Sequence, residues 1–88
     1  MISGIRHATI SGTGSAVPER VVTNADLSAN LGEDISTFVE QTLGIRERRI
    51  CGPHESTADL AVVASERAMR AAGLDATDLD LIIIATDT

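Results

Sequence analysis

Hydrophobic positions follow three rhythms along the chain. Over residues 5–10 apolar and polar side chains alternate modestly among β-branched residues, and the run ends in Ser11-Gly12-Thr13-Gly14-Ser15, where glycine opens turn angles closed to other residues. A strand followed by a tight turn is expected. Pro18-Glu19-Arg20 then leads to Val21-Val22, and Thr23 or Asn24 can cap a short helix with Asp26 in its first turn, stopping near Gly32. Phe38, Val39 and Leu43 recur at helical spacing and predict a second short helix over residues 36–43, with Gly44 just past its end. Residues 45–51 are charged and read as extended.

The best-specified element follows Gly52-Pro53. Ser56-Thr57-Ala58-Asp59 has an S-x-x-D capping pattern, and Leu60, Val63, Ala64, Ala68, Ala71 and Ala72 share one helical face until Gly73. A stripe so rich in alanine lets a neighbouring backbone approach closely. Glu66 and Arg70, spaced i,i+4, and Arg67 are expected on the wet face. Asp75-Ala76-Thr77-Asp78 makes a turn into residues 79–86, whose apolar core does not alternate. Such a strand is covered on both faces in the parallel sheets of α/β proteins. Eighty-eight residues supply too few helices to cover it, so the chain reads as the amino-terminal piece of a larger fold.

Composition narrows the partners. The chain has 43% hydrophobic residues and a single aromatic, Phe38, which leaves little for stacking bases. Its net charge of -6, with no lysine, is the wrong sign for sequence-independent phosphate binding. No nucleic acid is expected as a partner, and no membrane, since the longest apolar run is far below a spanning length. One cysteine and no leader-like apolar stretch fit a cytoplasmic setting.

Few residues suggest chemistry by themselves. Gly12-Thr13-Gly14 lacks the third glycine of a dinucleotide loop, Val17 standing in its place, and Pro18 delays any helix, so these glycines are expected to be structural. Cys51 lies three residues from His54 in a Gly-Pro loop and reads as an incidental thiol. His7 and His54 have no constellation around them. Arg46, Arg48 and Arg49 are either a patch for phosphate or an acidic partner, or a strand paired to local carboxylates such as Glu40 and Glu47. Phe38 reads first as core, with an exposed stacking ring as the other possibility.

Read together, Gly12-Thr13-Gly14-Ser15, Val17-Pro18-Glu19, Val22-Thr23-Asn24-Ala25-Asp26-Leu27, Gly44-Ile45-Arg46-Glu47-Arg48-Arg49-Ile50 and Leu81-Ile82-Ile83-Ile84-Ala85-Thr86 resemble the amino-terminal quarter of β-ketoacyl-acyl-carrier-protein synthase III. The resemblance covers essentially the whole chain, and the joint occurrence of T-N-A-D-L and G-I-R-E-R-R is its specific part. It implies an α/β chain, residues 1–88, forming the amino-terminal part of a thiolase-like αβαβα layered fold, usually dimeric. It also implies decarboxylative Claisen condensation: an acyl group passes from coenzyme A, as a thioester substrate, to a cysteine, and the carbanion of malonyl-carrier-protein attacks it. No permanently bound cofactor is implied, and the catalytic Cys, His and Asn of the family fall after these residues. Cys51 does not match that nucleophile.

One family feature does fall within these residues. A tryptophan that stacks on the adenine of coenzyme A corresponds to Phe38, an arginine and a threonine near the cofactor to Thr42 and Leu43, and a threonine contacting adenine to Asp34. Phe38 keeps a smaller stacking face, Thr42 lacks a phosphate donor, and Asp34 adds negative charge. These departures make a related acyltransferase or ketosynthase of secondary metabolism, loaded from an acyl-carrier-protein donor, a serious variant. The remaining alternative is a small non-catalytic α/β module that binds an acidic partner through its arginines.

Overall fold

The computed structural model describes residues 7–86, which fall into two compact units: Val17–Leu60, and residues 7–16 together with residues 61–86. In the first unit, strand β1 (Arg20–Thr23) leads into helix α1 (Asn24–Leu31), then helix α2 (Ser36–Leu43) and strand β2 (Glu47–Ile50). The strands pair antiparallel, with Arg20 opposite Ile50 and Val22 opposite Arg48. The helices fall where capping chemistry and glycine stops put them. Thr23, rather than Asn24, caps α1: its hydroxyl accepts from the Asp26 amide at 3.1 Å and the Asp26 carboxylate accepts from the Thr23 amide at 3.0 Å. Gly32 and Gly44 end the two helices in left-handed conformation, at φ 70° and 69°.

Helix α3 (Thr57–Ala72) begins with the expected box, in which Asp59 accepts from both the backbone amide and the hydroxyl of Ser56, each at 2.9 Å. Backbone amides above all, and the capping side chains after them, hold the Asp26 and Asp59 carboxyls below the ordinary aspartate range. The sign follows from that direction. A carboxyl whose folded pKa is depressed stabilises the fold above its unfolded-state value, and the contribution is lost as pH falls through the folded value. Acid titration should therefore lower the protection of the Thr23 and Ser56 amides, measured against the intrinsic exchange rate at each pH, below the ordinary aspartate range. Asp26→Asn and Asp59→Asn should each flatten the dependence at their own box.

In the second unit, the alanine stripe finds its close partner in the glycine turn. A methyl group on Gly12 would overlap the Ala68 carbonyl and the Ala72 side chain, and one on Gly14 the Ala64 carbonyl and the Ala68 amide. These glycines therefore serve close packing. They meet the middle and the C-terminal end of α3, away from the amide-rich start of a helix where a phosphate would bind. Arg67, expected in water, donates to the Ser15 carbonyl at 2.8 Å. Gly73 closes α3 through bonds from its own amide to Arg70 and from Leu74 to Met69. Val63 and Ala71, expected on the buried stripe, are exposed, because the turn covers only part of the helix.

Both expected outer strands differ from the sequence reading. Ile5 and Arg6 lie outside the described residues, and residues 7–10 form no strand. Residues 79–86 are not assigned as a strand, and Leu81 and Ile83 are 72% and 82% exposed. A doubly buried strand depends on neighbours on both sides, and composition alone does not supply them. Core formation is correspondingly slight: Val22 and Val39 are the buried hydrophobic residues among those described.

Candidate functional site

Helix α2 presents the residues singled out by sequence. Adjacent helical positions are about 100° apart, so Phe38 and Val39 cannot share a face. Val39 is buried at 8% exposure and Phe38 is 64% exposed, which overturns the reading of Phe38 as core. Thr42, one turn on, projects beside Phe38 and is likewise exposed. Asp34 precedes the helix, and its Oδ1 accepts from the Ser36 amide at 3.0 Å. Ile35, at the cap position, has no side-chain acceptor, so Asp34 meets one of the free amides of the first turn with a charge suited to the helix dipole. Phe38 and Thr42 thus form one outward surface, with Asp34 at the end where the helix starts.

The arginine cluster has a different use. Arg46 pairs with Glu40 at 3.2 Å in full view of solvent, where such a pair is worth little. Arg48 donates to the Val22 carbonyl at 3.3 Å and to Asn24 Oδ1 at 2.7 Å, and Arg49 donates to the Pro18 carbonyl at 3.0 Å. Of the two readings, a patch for phosphate or an acidic partner and a strand paired to local carboxylates, the second holds for Arg46. For Arg48 and Arg49 the partners are neutral oxygens of the T-N-A-D-L side of the unit. Arg48 and Arg49 thus help hold the unit together, while Arg46 and Arg49 remain exposed.

Sequence reasoning missed Asn24 as the centre of this arrangement, having weighed it only as a cap. It is 6% exposed, donates through Nδ2 to the Ile45 carbonyl at 2.8 Å, and receives Arg48 on Oδ1. An asparagine directly after a threonine already able to cap the helix was the available signal. Two motifs far apart in sequence are therefore joined by one buried amide. A shallow depression of about 300 Å³, lined by Arg20, Val21, Val22, Asp26, Ala29 and Asn30, contains none of the α2 residues. Cys51 is half-buried and free, and the described residues include no group of three or more His, Cys, Asp and Glu able to hold a metal. No helix among them is long and apolar enough to cross a membrane.

The alternation of strands and helices is that of the amino-terminal portion of a thiolase-like fold. A crystal structure of the priming β-ketosynthase of a polyketide biosynthetic pathway matches with TM-score 0.74 and 33% identity, over 88% of this chain and 24% of that one. The 3-oxoacyl-acyl-carrier-protein synthase III of Aquifex aeolicus matches with the same score and identity, over 84% of this chain and 23% of that one. In sequence, the chain matches the amino-terminal portion of β-ketoacyl-acyl-carrier-protein synthase III. The synthase of Thioalkalivibrio sulfidiphilus is 44% identical over 82 residues, 93% of this chain and 25% of that protein. That of Roseiflexus castenholzii is 49% identical over 81 residues, 92% of this chain and 24% of that protein. The chain thus spans about a quarter of the length of these curated relatives. No family model matches it.

Proposed function

We propose that these residues are the amino-terminal part of a thiolase-fold domain in a β-ketoacyl-acyl-carrier-protein synthase of type III, a cytoplasmic acyltransferase. In the reaction proposed, an acyl group moves from the sulfur of a coenzyme A thioester to an enzyme cysteine, and free coenzyme A leaves. Malonyl-carrier-protein then loses carbon dioxide, its carbanion forms the new carbon–carbon bond, and the cysteine thiolate is released. An acyl carrier protein and a second copy of the chain are the partners of this reading. The observation that supports it, beyond the sequence match, is the outward Phe38 ring, free to stack on the donor. Phe38, Thr42 and Asp34 are proposed to border the donor, and the nucleophile belongs to residues outside this sequence.

A donor carried on a protein is a second reading. Thr42 and Asp34 put no cation on the outer surface of α2, and the Arg46 guanidinium is paired with Glu40. The outer surface of α2 itself therefore offers no cation to the phosphates of coenzyme A.

Kinetics of the full-length protein separate the two. Stacking of a ring on a base contributes about 1–3 kcal/mol, so Phe38→Ala should raise KM for acetyl-coenzyme A roughly tenfold with kcat little changed. Phe38→Trp should lower KM for that donor, and neither variant should alter KM for an acyl-carrier-protein donor. Equal impairment with both donors, together with lost stability, would return Phe38 to the core. Failure of the parent to form an acyl-enzyme with any thioester donor would end the acyltransferase reading.

A further inference from the structure

Helix α2 has eight residues and a side-chain-free cap at Ile35, too little to fix its own position. What holds it comes from α1. Asn24 and Ser28 are four residues apart there and project from one face. Ser28 serves the start of α2: its hydroxyl accepts from the Ile35 amide at 3.0 Å and lies 3.4 Å from the Ser36 hydroxyl. Asn24 serves the other end, just after Gly44, through its side-chain bond to the Ile45 carbonyl and a backbone bond of 3.1 Å to the Arg46 carbonyl. Arg48 supplies only donors, so its 2.7 Å bond decides which Asn24 atom is oxygen and turns the amide nitrogen toward Ile45.

We propose that Asn24 and Ser28 are positioning residues, which pin α2 at both ends and thereby set how Phe38 is presented to a thioester donor. The second half of this proposal rests on the donor reading above. Neither residue touches the donor. Their effect passes through the α2 backbone, so it should depend on the ring being present and on the donor having a base to stack.

The test uses the full-length protein, with acetyl-coenzyme A and the nucleotide-free acetyl-N-acetylcysteamine as donors. Ser28→Ala should speed hydrogen exchange at the Ile35 amide and raise KM for acetyl-coenzyme A about fivefold, the size of one neutral hydrogen bond, with kcat little changed. Ser28→Thr keeps the hydroxyl and should restore both. In a Phe38→Ala background the further rise from Ser28→Ala should vanish, because the two changes act on one contact. An equal rise in both backgrounds, an equal rise with the nucleotide-free donor, or unchanged exchange at Ile35 would overturn the proposal. A Phe38→Ala variant silent with acetyl-coenzyme A would instead overturn the donor reading, and faster Ile35 exchange in Ser28→Ala would then still establish the pin.

Discussion

Asn24→Ala should lower the stability of the full-length protein by about 2–4 kcal/mol, read as a fall in the denaturation midpoint at unchanged slope. The size follows from what is left behind. Alanine removes the donor to the Ile45 carbonyl and the acceptor for Arg48, in a site where Asn24 is 6% exposed. A buried group that loses its partner costs about 1–3 kcal/mol, and more where it is charged. Arg48 keeps its bond to the Val22 carbonyl, which limits the loss. Asn24→Asp should recover only part of it, because a carboxylate still accepts from Arg48 but sets an oxygen against the Ile45 carbonyl. In Arg48→Ala the cost of Asn24→Ala should be smaller, since the shared contact is already gone.

Gly14→Ala is the second large effect, with an expected loss of about 1–3 kcal/mol or more. The added methyl would meet the backbone of α3 at Ala64 and Ala68, and backbone cannot move aside as the end of a flexible side chain can. Gly12→Ala meets the Ala68 carbonyl and should behave alike. Gly52 is the internal control: a methyl there meets nothing within 4 Å and its φ lies outside the left-handed range, so Gly52→Ala should be neutral or slightly stabilising. Denaturation midpoints of the three variants should therefore separate into two groups. Equal midpoints for Gly14→Ala and Gly52→Ala would show that the turn does not pack on α3 as described.

Local chemistry was legible in the sequence because each signal lay within a few residues of its effect. Ser56 and Asp59, Thr23 and Asp26, and the glycines at 32, 44 and 73 mark helix ends whatever the rest of the chain does. The residue types of the T-N-A-D-L and G-I-R-E-R-R segments were enough to show the resemblance that the comparisons bear out. Long-range placement was a different matter. Val21 and Val22 are too short a run to declare a strand, and β1 forms because β2 lies opposite it. The stretch over residues 81–84 has strand composition, yet composition cannot supply a ladder partner.

Two decisions about the candidate site belonged to tertiary structure alone. Helical spacing grouped Phe38, Val39 and Leu43, but a helix covered on one side buries only part of such a group, and Val39 is the one enclosed. Charge counting made Arg46, Arg48 and Arg49 one cluster, although each guanidinium is satisfied by whichever oxygen the fold brings within reach. Sequence determined where the helices begin and end, since capping bonds close over three or four residues. Which side of a helix meets solvent, and which oxygen meets an arginine, depends on segments more than twenty residues apart, and only their packing decides it.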